Sequence, residues 1–484
     1  MMILKGYLFS TLYALLCLGL AFGLYKLGVE KKITRKIVHI LVGFEWVILY
    51  HFVGPSWHFL GVCLLFLLIL AVAHRKNLMP MISSDGDNAP GTVYYAVAMS
   101  IMAIITLFVP KMILPFGIGV FCTSFGDGLA GLVGQSITAS WNKKVYGNKS
   151  IAGAAVNFVT CFGVAYFFSN YFGLGIGVSQ CFAIAFLALE LELFTGLGLD
   201  NITITVATSL LAFAFINFEQ TGDYLVPVLL TPAIIMFASK KRALTLSGII
   251  AALFVDVAIS VSLGNFGFCI LLAFFVGGIA VDKFKKTRKK TRQSEKAELE
   301  KRGDCRDHVQ VLANSLVAVV CALSYLITSE ALFVVAFTAS LAEAFADTVA
   351  SGIGVISGKA FDIFRMKPCQ PGISGGMSVL GTLSSLAAAI LISFFAFCFG
   401  RITFTEALIV FIAAFLGAIF DSFLGSIVQV KYRCVKCGLI LEKEEHCAEK
   451  TEKYSGFEII NNDVVNLLGT LFAAIASIFV CLII

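Results

Sequence analysis

Long apolar segments follow one another along almost the whole chain, and they constrain its fold more than any other feature. Hydrophobic residues make up 59% of the 484 residues and charged residues only 14%, so the chain lacks the polar surface that a water-soluble protein of this length needs. Most of these segments approach the roughly 18–22 apolar residues that cross a bilayer as a helix. The sequence therefore predicts an all-α, polytopic integral membrane protein embedded in a lipid bilayer.

We expect about sixteen transmembrane helices, because backbone groups in lipid must be hydrogen-bonded within each segment and the alternation typical of a β-barrel is absent. The expected helices begin near Tyr7, Lys36, Trp57, Thr92, Lys111, Ile151, Gly177, Thr203, Tyr224, Leu244, Phe266, Val309, Leu332, Met377, Phe404 and Val464.

Positive residues cluster in the loops between these segments. The clusters are Arg75–Lys76, Lys143–Lys149, Lys240–Arg242, Lys283–Arg302, Lys359–Lys367 and Lys431–Lys436. The positive-inside rule assigns such loops to the cytoplasmic side, so we expect a multi-pass protein of a bacterial inner membrane. The net charge of +6 comes from these loops and gives no indication of nucleic-acid binding.

A short segment centred on Asp127 occurs twice in the chain. The spacing of Phe125, Asp127, Ala130 and Gly134 recurs as Phe345, Asp347, Ala350 and Gly354. Residues 373–382 then follow the second copy as residues 148–157 follow the first. The repeat predicts two related halves, 1–240 and 241–484, each with its own copy of one site.

The small residues and the acid of this segment have different explanations. Gly126, Ala130 and Gly134 form a small-xxx-small face that suits close helix packing, but packing does not explain Asp127. A carboxylate at membrane depth costs roughly 2.5–3.5 kcal/mol, so it is expected to have a partner. An acid, tight turns and lysines at a membrane edge suit a metal-bound polyphosphate.

Further polar residues lie at other helix ends of the first half. His39, one turn after Arg35, is either an interfacial histidine or a contact to a phosphate or a substrate hydroxyl. Glu190, Glu192, Asp200 and Asn201 are either solvated loop residues or, with Asp127, part of a magnesium shell.

The second half contains a comparable set. Arg306, Gln310 and Asn314 form one polar face entering the membrane, which predicts a lined cavity. The Gly375–Gly376 turn suits phosphate oxygens, and the later residues Asp421, Asp463 and Asn466 could complete a metal site that begins at Asp347.

Four residues near the end have ligand types that fit tetrahedral zinc: Cys434, Cys437, His446 and Cys447. Because His446 and Cys447 are adjacent, the second pair needs an unusual geometry. A structural zinc ion and a metal-free loop both remain open at this point.

Both halves resemble known families. The first half, with RKIVHILVGF, SFGDGLAGLVGQ, NKSIAG and residues 190–201, resembles the phytol kinase and dolichol kinase group, which is distantly related to CDP-diglyceride synthases. The second half, with RDHVQVLANS, ADTVASGIG, GISGGMSVLGT and NNDVVN, looks like the family of the plant phytyl-phosphate kinase, also called DUF92. That family usually carries Glu where this chain has Gly352.

The resemblance implies a fusion of two consecutive kinases. The first would phosphorylate an isoprenoid alcohol with CTP or another nucleoside triphosphate, and the second would convert the monophosphate to an isoprenyl diphosphate. Phosphoryl transfer of this kind needs Mg²⁺, cationic groups and in-line positioning.

With this chemistry in view, we assign a role to each polar residue of the two sites. The expected Mg²⁺ ligands are Asp127, Glu192, Asp200, Asp347, Asp421 and Asp463. The residues expected to act directly in the reaction are Asp127, Lys149, Asp347 and Asp463. The residues expected to contact substrate or nucleotide are Arg35, His39, Lys144, Ser150, Asn201, Arg306, Gln310, Asn314, Lys359, Lys367, Ser374, Gly375, Gly376 and Asn466.

Two other functions remain compatible with the sequence. A cytidylyltransferase that makes a CDP-linked lipid would use the same arrangement of acid, glycine and lysine. A secondary transporter would also show internal repeats with polar residues in the membrane, although its acids would be expected near helix centres and not beside basic loops.

Overall fold

The structure is a computed structural model of the chain. It describes residues 1–76, 91–137, 139, 141–146, 149–195, 198–217, 243–291, 305–364, 366–369, 372–447 and 449–484, with a few isolated positions between 226 and 238. Residues 146 and 286–291 are described by their backbone alone. The chain divides into two compact units, Met1–Pro232 and Ala233–Ile484. The domain boundary expected at 240/241 and the basic cluster Lys240–Arg242 lie outside the described residues.

The first unit consists of ten described helices and one small hairpin. The helices are α1 (Met2–Lys26), α2 (Lys31–Val42), α3 (Glu45–Phe52), α4 (Trp57–Arg75), α5 (Gly91–Phe108), α6 (Ile113–Phe121), α7 (Gly128–Ser136), α8 (Ile151–Phe172), α9 (Val178–Phe194) and α10 (Asp200–Asn217). Strands β1 (Lys144–Tyr146) and β2 (Lys149–Ser150) pair antiparallel just before α8.

The second unit has six long helices and eight short strands among its described residues. The helices are α11 (Leu246–Thr291), α12 (His308–Thr328), α13 (Leu332–Gly354), α14 (Val379–Cys398), α15 (Phe404–Ile427) and α16 (Asn462–Ile483). The strands are β3 (Ala360–Asp362), β4 (Lys367–Cys369), β5 (Gly376–Met377), β6 (Lys431–Arg433), β7 (Ile440–Leu441), β8 (Glu445–His446), β9 (Glu449–Lys450) and β10 (Glu452–Ser455). They form sheets in the orders β4-β3-β5, β10-β6-β7 and β8-β9.

The prediction of an all-α membrane protein is confirmed, and the count of helices differs from the sixteen expected. Twelve helices within the described ranges are long and apolar enough to cross a membrane. The span expected near Lys36 is divided into α2 and α3, and the span expected near Gly177 is α9, with only 17 residues. The spans expected near Leu244 and Phe266 are two helical segments of α11, which meet at the non-helical residue Gly264 (φ 59°). Most of the span expected near Tyr224 lies outside the described residues.

Asp127 lies where a membrane helix changes its winding. Residues Cys122–Asp127 form a π-helical segment between α6 and α7, inside a helical stretch that runs from Pro110 to Ser136. A π-helical segment widens the turn and is frequently found at functional sites. The local winding therefore marks the same residue that the sequence repeat singles out.

The small residues of the first repeat bring α7 and α8 into close contact. A Cβ atom on Gly134 would lie 3.2 Å from the Cα atom of Gly153, and one on Gly153 would lie 3.0 Å from the carbonyl oxygen of Ala130. Ser150 caps α8 by accepting a hydrogen bond from the Gly153 amide at 3.2 Å, as serine commonly does at a helix start. The small-xxx-small face thus packs as the sequence predicts.

The second unit repeats these contacts. A Cβ atom on Gly354 would lie 3.3 Å from the Cα atom of Gly381, and one on Gly381 would lie 3.2 Å from the carbonyl oxygen of Ala350. Ser378 caps α14 by accepting from the Gly381 amide at 3.0 Å. In the structure, Ser378 therefore occupies the position that Ser150 has in the first unit. The sequence alignment of residues 148–157 with residues 373–382 would instead match Ser150 to Gly375.

Helix α13, which carries Asp347, lies at the centre of the second unit. It packs against α11, α12, α14, α15 and α16, and its residues Val335, Ala336, Phe337, Ala339, Leu341 and Ala342 are fully buried. The outer helices instead expose large apolar side chains such as Leu383, Phe394 and Ile412, as expected for surfaces that face lipid.

The α7–α8 contact can be tested with two glycines of α8. We expect Gly153→Val to lower the melting temperature of the detergent-solubilised protein, because overpacking a close contact costs about 1–3 kcal/mol. Gly163→Val is the matched control, since a Cβ atom there meets no other atom within 4 Å. Equal melting temperatures for the two variants would contradict the packing described here.

Candidate functional site

Three carboxylates converge in the first unit. Asp127 ends the π-helical segment, Glu192 lies in the last turn of α9, and Asp200 is the first residue of α10. One oxygen atom from each lies within 4.8 Å of the others, and all three residues are buried. The structure therefore brings together the three acids assigned to Mg²⁺ from the sequence.

Helix α2 supplies positive charge to Asp127. Lys36 Nζ lies 2.6 Å from Asp127 Oδ1 and 3.3 Å from the Asp127 carbonyl oxygen. His39, one turn further along the same face, has its Nε2 atom 3.5 Å from Asp127 Oδ2. Of the two alternatives for His39, the structure favours membership of the site over a solvated interfacial position.

Two glycines of α7 make room for this contact. A Cβ atom on Gly131 would lie 2.4 Å from Lys36 Cε, and one on Gly128 would lie 2.4 Å from Ile40 Cγ1. Since a larger residue at either position would displace α2, these glycines let the lysine side chain lie along α7 and reach the carboxylate.

Lys149 joins the other two acids. Its Nζ atom hydrogen-bonds Glu192 Oε1 and lies 3.3 Å from Asp200 Oδ2. Burial by itself would lower the pKa of Lys149, but the nearby carboxylates of Glu192, Asp200 and Asp127 outweigh it and raise this pKa well above its usual value. The three carboxylates therefore favour the charged form of Lys149.

The remaining residues predicted for the first site lie around this centre. Ser150 caps α8, and Asn201 donates hydrogen bonds to the Gly91 and Gly198 carbonyl oxygens at 3.2 and 3.1 Å. Arg35 is half-buried beside Lys36, and Lys144 is exposed on β1. The hydrogen bonds of Ser150 and Asn201 thus stabilise the protein fold and do not involve a ligand.

Sequence reasoning missed the role of Lys36. It named Lys36 only as the start of an expected helix, although the spacing of three residues between Lys36 and His39 puts both on one helical face. That spacing was the available signal, and the identity of the partner required the tertiary structure.

The second unit has its own group of acids. Glu343 lies one turn before Asp347 on α13, and Asp421 lies on α15. A Cβ atom on Gly469 of α16 would lie 2.6 Å from Glu343 Oε1 and 3.3 Å from Asp421 Cβ, so these two side chains are neighbours. Glu343 Oε1 and Asp421 Oδ2 are buried without a hydrogen-bond partner. The sequence analysis assigned Asp347 and Asp421 but gave Glu343 no role.

A loop acid, Glu442, adds to this group. It lies close enough to Asp347 and Asp421 for their charges to interact. Ser374 Oγ donates a hydrogen bond to Glu442 Oε1, and Gln429 Nε2 donates to Ser374 Oγ at 2.9 Å. Ser374, which was predicted to contact substrate or nucleotide, thus connects the glycine-rich turn to this acid.

Three polar residues assigned to substrate or nucleotide lie together in the second unit. Asn466 of α16 donates to Asn314 Oδ1 of α12 at 3.4 Å, and Asn314 donates to the Gln310 carbonyl oxygen at 2.8 Å. The predicted polar face of α12 therefore meets the polar start of α16. Asp463 lies in the first turn of α16.

Other residues predicted for the second site have separate contacts. Arg306 NH2 lies 3.3 Å from Asp282 Oδ2, and Lys359 and Lys367 are exposed. The Gly376 amide already donates to the Ile373 carbonyl oxygen at 3.0 Å, so other groups of this turn would have to hold a phosphate.

Gly375 and Gly352 each have a packing reason to be glycine. Gly375 has φ +83°, and a Cβ atom there would lie 2.4 Å from the Ser426 amide nitrogen. A Cβ atom on Gly352 would lie 2.1 Å from Val281 Cγ1. A larger side chain at either position would therefore require its neighbour to move.

The four predicted zinc ligands also come together. One ligand atom from each of Cys434, Cys437, His446 and Cys447 lies within 4.8 Å of the others. Hydrogen bonds from the Cys437 backbone amide and from the His446 side chain lower the pKa of the Cys434 thiol to about 6. The adjacent positions of His446 and Cys447 do not prevent convergence.

The donor sets fit the metals expected for them. Carboxylate oxygens are the ligands that Mg²⁺ prefers, and Glu192 Oε2, Glu343 Oε1 and Asp421 Oδ2 are buried acceptors without a hydrogen-bond partner. Thiolate and imidazole groups are the usual ligands of Zn²⁺.

The Lys36–Asp127 ion pair can be tested by stability. We expect Lys36→Met to lower the melting temperature of the purified protein strongly, because removing one partner of a buried ion pair costs about 3–5 kcal/mol. Adding Asp127→Asn should restore part of the loss. Lys32→Met, at an exposed lysine of α2, is the control, and an equal effect of Lys32→Met and Lys36→Met would argue against the pair.

Comparisons with known proteins agree with this architecture. The model of the family "Integral membrane protein DUF92" matches residues 229–474. The chain is 30% identical over 241 residues to "Protein VTE6, chloroplastic" of Arabidopsis thaliana, which covers 49% of this chain and 64% of that protein. It is 31% identical over 199 residues to "Uncharacterized membrane protein sll0875" of a Synechocystis species, covering 40% of this chain and 75% of that protein.

A "Phytol kinase" of the same Synechocystis species is 30% identical over 146 residues, which are 29% of this chain and 60% of the kinase. The chain thus spans less than two thirds of VTE6 and of the phytol kinase. No solved structure matches it. The match to the family model spans half of the chain and lies almost entirely in the second unit, so this protein belongs to the DUF92 family of integral membrane proteins.

Proposed function

We propose that this protein is a membrane-bound isoprenoid lipid kinase with two sites. The first unit phosphorylates an isoprenoid alcohol with CTP or another nucleoside triphosphate, and the second unit phosphorylates the resulting monophosphate to the diphosphate. The chain is then a fusion of two consecutive kinases. The basic loops beside both acid groups favour sites on the cytoplasmic side, where nucleotides are found.

The convergence of Asp127, Glu192 and Asp200 is the observation that carries this proposal. Three buried carboxylates within 4.8 Å are too close to remain charged without cations. Lys36 and Lys149 supply two positive charges, and one acceptor oxygen, Glu192 Oε2, has no hydrogen-bond partner. Such a centre suits a divalent cation that carries a nucleotide.

Phosphoryl transfer needs little covalent chemistry from a protein, and these residues supply what it does need. A bound Mg²⁺ ion neutralises charge on the transferred phosphoryl group. Asp127, Glu192 and Asp200 would hold that ion, and Lys149 would lie against phosphate oxygens as the charge develops. The alcohol oxygen attacks the γ-phosphorus atom, the bond from phosphorus to the nucleoside diphosphate breaks, and the hydroxyl proton passes to a carboxylate, for which Asp200 or Glu192 is the candidate.

The second unit would perform the same transfer on a more negatively charged substrate. Its acids Glu343, Asp347 and Asp421, with Glu442 beside them, provide the metal-binding oxygens. Ser374 and the amide groups of its loop would contact phosphate, and Gln310, Asn314 and Asn466 form a polar lining at the helix ends. The apolar outer helices would let the prenyl tail remain in the bilayer while its head group enters either site.

Similarity to a phytol kinase supports this class of reaction. Because only part of each relative is covered, the chain length of the isoprenoid and the nucleotide are part of the proposal and need an assay of phytol, farnesol and geranylgeraniol with each triphosphate.

Two single substitutions separate the two steps. We expect Asp127→Asn to lower monophosphate formation by about 100-fold or more, as when a charge-stabilising group is removed from an active site, while conversion of supplied monophosphate stays near wild type. Asp347→Asn should have the opposite effect, so each variant is the control of the other. Loss of both steps from either change would indicate a single composite site.

The fate of labelled phosphate tests the reaction class. With a γ-labelled triphosphate, a kinase transfers the label to the lipid. Label released as pyrophosphate, with the nucleoside monophosphate attached to the lipid, would show a cytidylyltransferase. Failure of the purified protein to bind any nucleotide would favour a transporter.

A further inference from the structure

Between α15 and α16 lies a small β-rich segment, residues 431–455, that phosphoryl transfer does not explain. It contains β6 to β10, and these strands have only two to four residues each. Strand pairs this short are marginal in water without further support. Few of its side chains are buried, among them Tyr432, Cys434 and Leu441, so the segment lacks a core large enough to fix it.

Two turns of this segment present four metal-binding side chains to one point. Cys434 and Cys437 lie in the turn between β6 and β7, where the Gly438 amide donates to the Cys434 carbonyl oxygen at 2.9 Å. His446 ends β8, and Cys447 follows it with φ +53°. This left-handed backbone at Cys447 turns its side chain to the same side as that of His446, which is how two adjacent residues both reach the cluster.

The distances among three of the four ligand atoms are close to those of a tetrahedral zinc site. Zn–S bonds of about 2.3 Å and Zn–N bonds of about 2.0 Å put ligand atoms roughly 3.5–3.8 Å from one another. His446 Nδ1 lies 3.4 Å from Cys437 Sγ and 3.2 Å from Cys447 Sγ, and the two sulfur atoms are 4.0 Å apart. All three cysteines are free thiols, and 4.0 Å is far beyond a disulfide bond of about 2.05 Å.

The same segment positions an acid of the second unit. Glu442 directly follows β7 and is hydrogen-bonded by Ser374, which in turn accepts from Gln429 at 2.9 Å. Strand β7 pairs with β6 through Tyr432 and Leu441. The turn that joins these two strands carries Cys434 and Cys437, so the position of Glu442 depends on that turn being fixed.

We propose that Cys434, Cys437, His446 and Cys447 bind a structural Zn²⁺ ion, and that this ion holds Glu442 beside Asp347 and Asp421. The ion takes no part in phosphoryl transfer. Its effect on the second phosphorylation step rests on the proposed function, whereas zinc binding does not.

The first test measures metal in the purified full-length protein. We expect elemental analysis to find a single zinc ion per chain, and Co²⁺ exchanged into the protein to show the thiolate-to-cobalt absorption of a tetrahedral site. Cys437→Ser and Cys447→Ser should lose both signals. Cys398→Ser, at an exposed cysteine of α14, should keep both. A zinc-free wild-type protein without the Co²⁺ band, or metal retained in both cluster variants, would overturn the proposal.

The second test asks whether the ion fixes Glu442. Hydrogen exchange should become faster in residues 431–455 after Cys437→Ser, and after removal of zinc from the wild-type protein by a chelator, with α8 unchanged. If the Cys437→Ser variant does not fold, the comparison uses the chelated wild-type protein instead. Unchanged exchange after zinc removal would overturn the positioning role.

Glu442→Gln separates this inference from the proposed function. The variant should retain zinc and convert supplied monophosphate at least about 10-fold more slowly, as expected when an electrostatic group of an active site is removed. If the wild-type protein transfers no phosphate at all, the proposed function fails while the zinc measurement still decides the metal site. If the Glu442→Gln variant converted monophosphate at the wild-type rate, Glu442 would have no role in the reaction.

Discussion

Buried carboxylates at the ends of apolar helices are the constraint on which both units depend. Asp127 is 6% exposed and Glu343 is 1% exposed, and an isolated charge in such surroundings would be costly unless it is paired or binds a metal. In the first unit, Lys36 and Lys149 meet that need directly. Among the described residues of the second unit, no lysine or arginine forms an ion pair with Glu343, Asp347 or Asp421, and the divalent cation proposed above would compensate their charge.

The two units share one serine-capped helix crossing but differ in charge near it. The serine-capped crossing of Gly134 with Gly153 recurs as Gly354 with Gly381. In the register set by these contacts, Met377 of the second unit corresponds to Lys149 of the first. Within the described ranges, the second unit therefore has fewer fixed cations near its acids. Under the proposed reaction, it must accept a lipid that already carries a phosphate, and metal-bound nucleotide would supply the missing positive charge.

The sequence predicts the class of fold and much of the first site. The length of the apolar runs is enough to identify membrane helices, and Asp127, Glu192 and Asp200 stand out because acids are rare in such segments. It does not predict the number of spans well, because a break such as the one between α2 and α3 leaves hydropathy unchanged. The sequence also does not identify the partner of Asp127, because its pairing with Lys36 depends on how α2 lies against α7.

The second site shows the same limits more strongly. Glu343 lies two residues before Phe345 of the repeat, but only the contact with Gly469 shows that it lies beside Asp421. Glu442 lies in a polar loop, where an acid is unremarkable in sequence, and its importance depends on the hydrogen bond from Ser374. The zinc ligands were recognised by residue type, but their convergence depends on the backbone conformation at Cys447.

The most direct test of the account is to count bound divalent cations in the presence of a non-hydrolysable nucleotide. Electron paramagnetic resonance with Mn²⁺ measures this on the purified protein. The account predicts two classes of nucleotide-dependent Mn²⁺ site, one lost with Asp127→Asn and the other lost with Asp347→Asn. The absence of bound Mn²⁺, or the loss of both classes with either substitution, would contradict it.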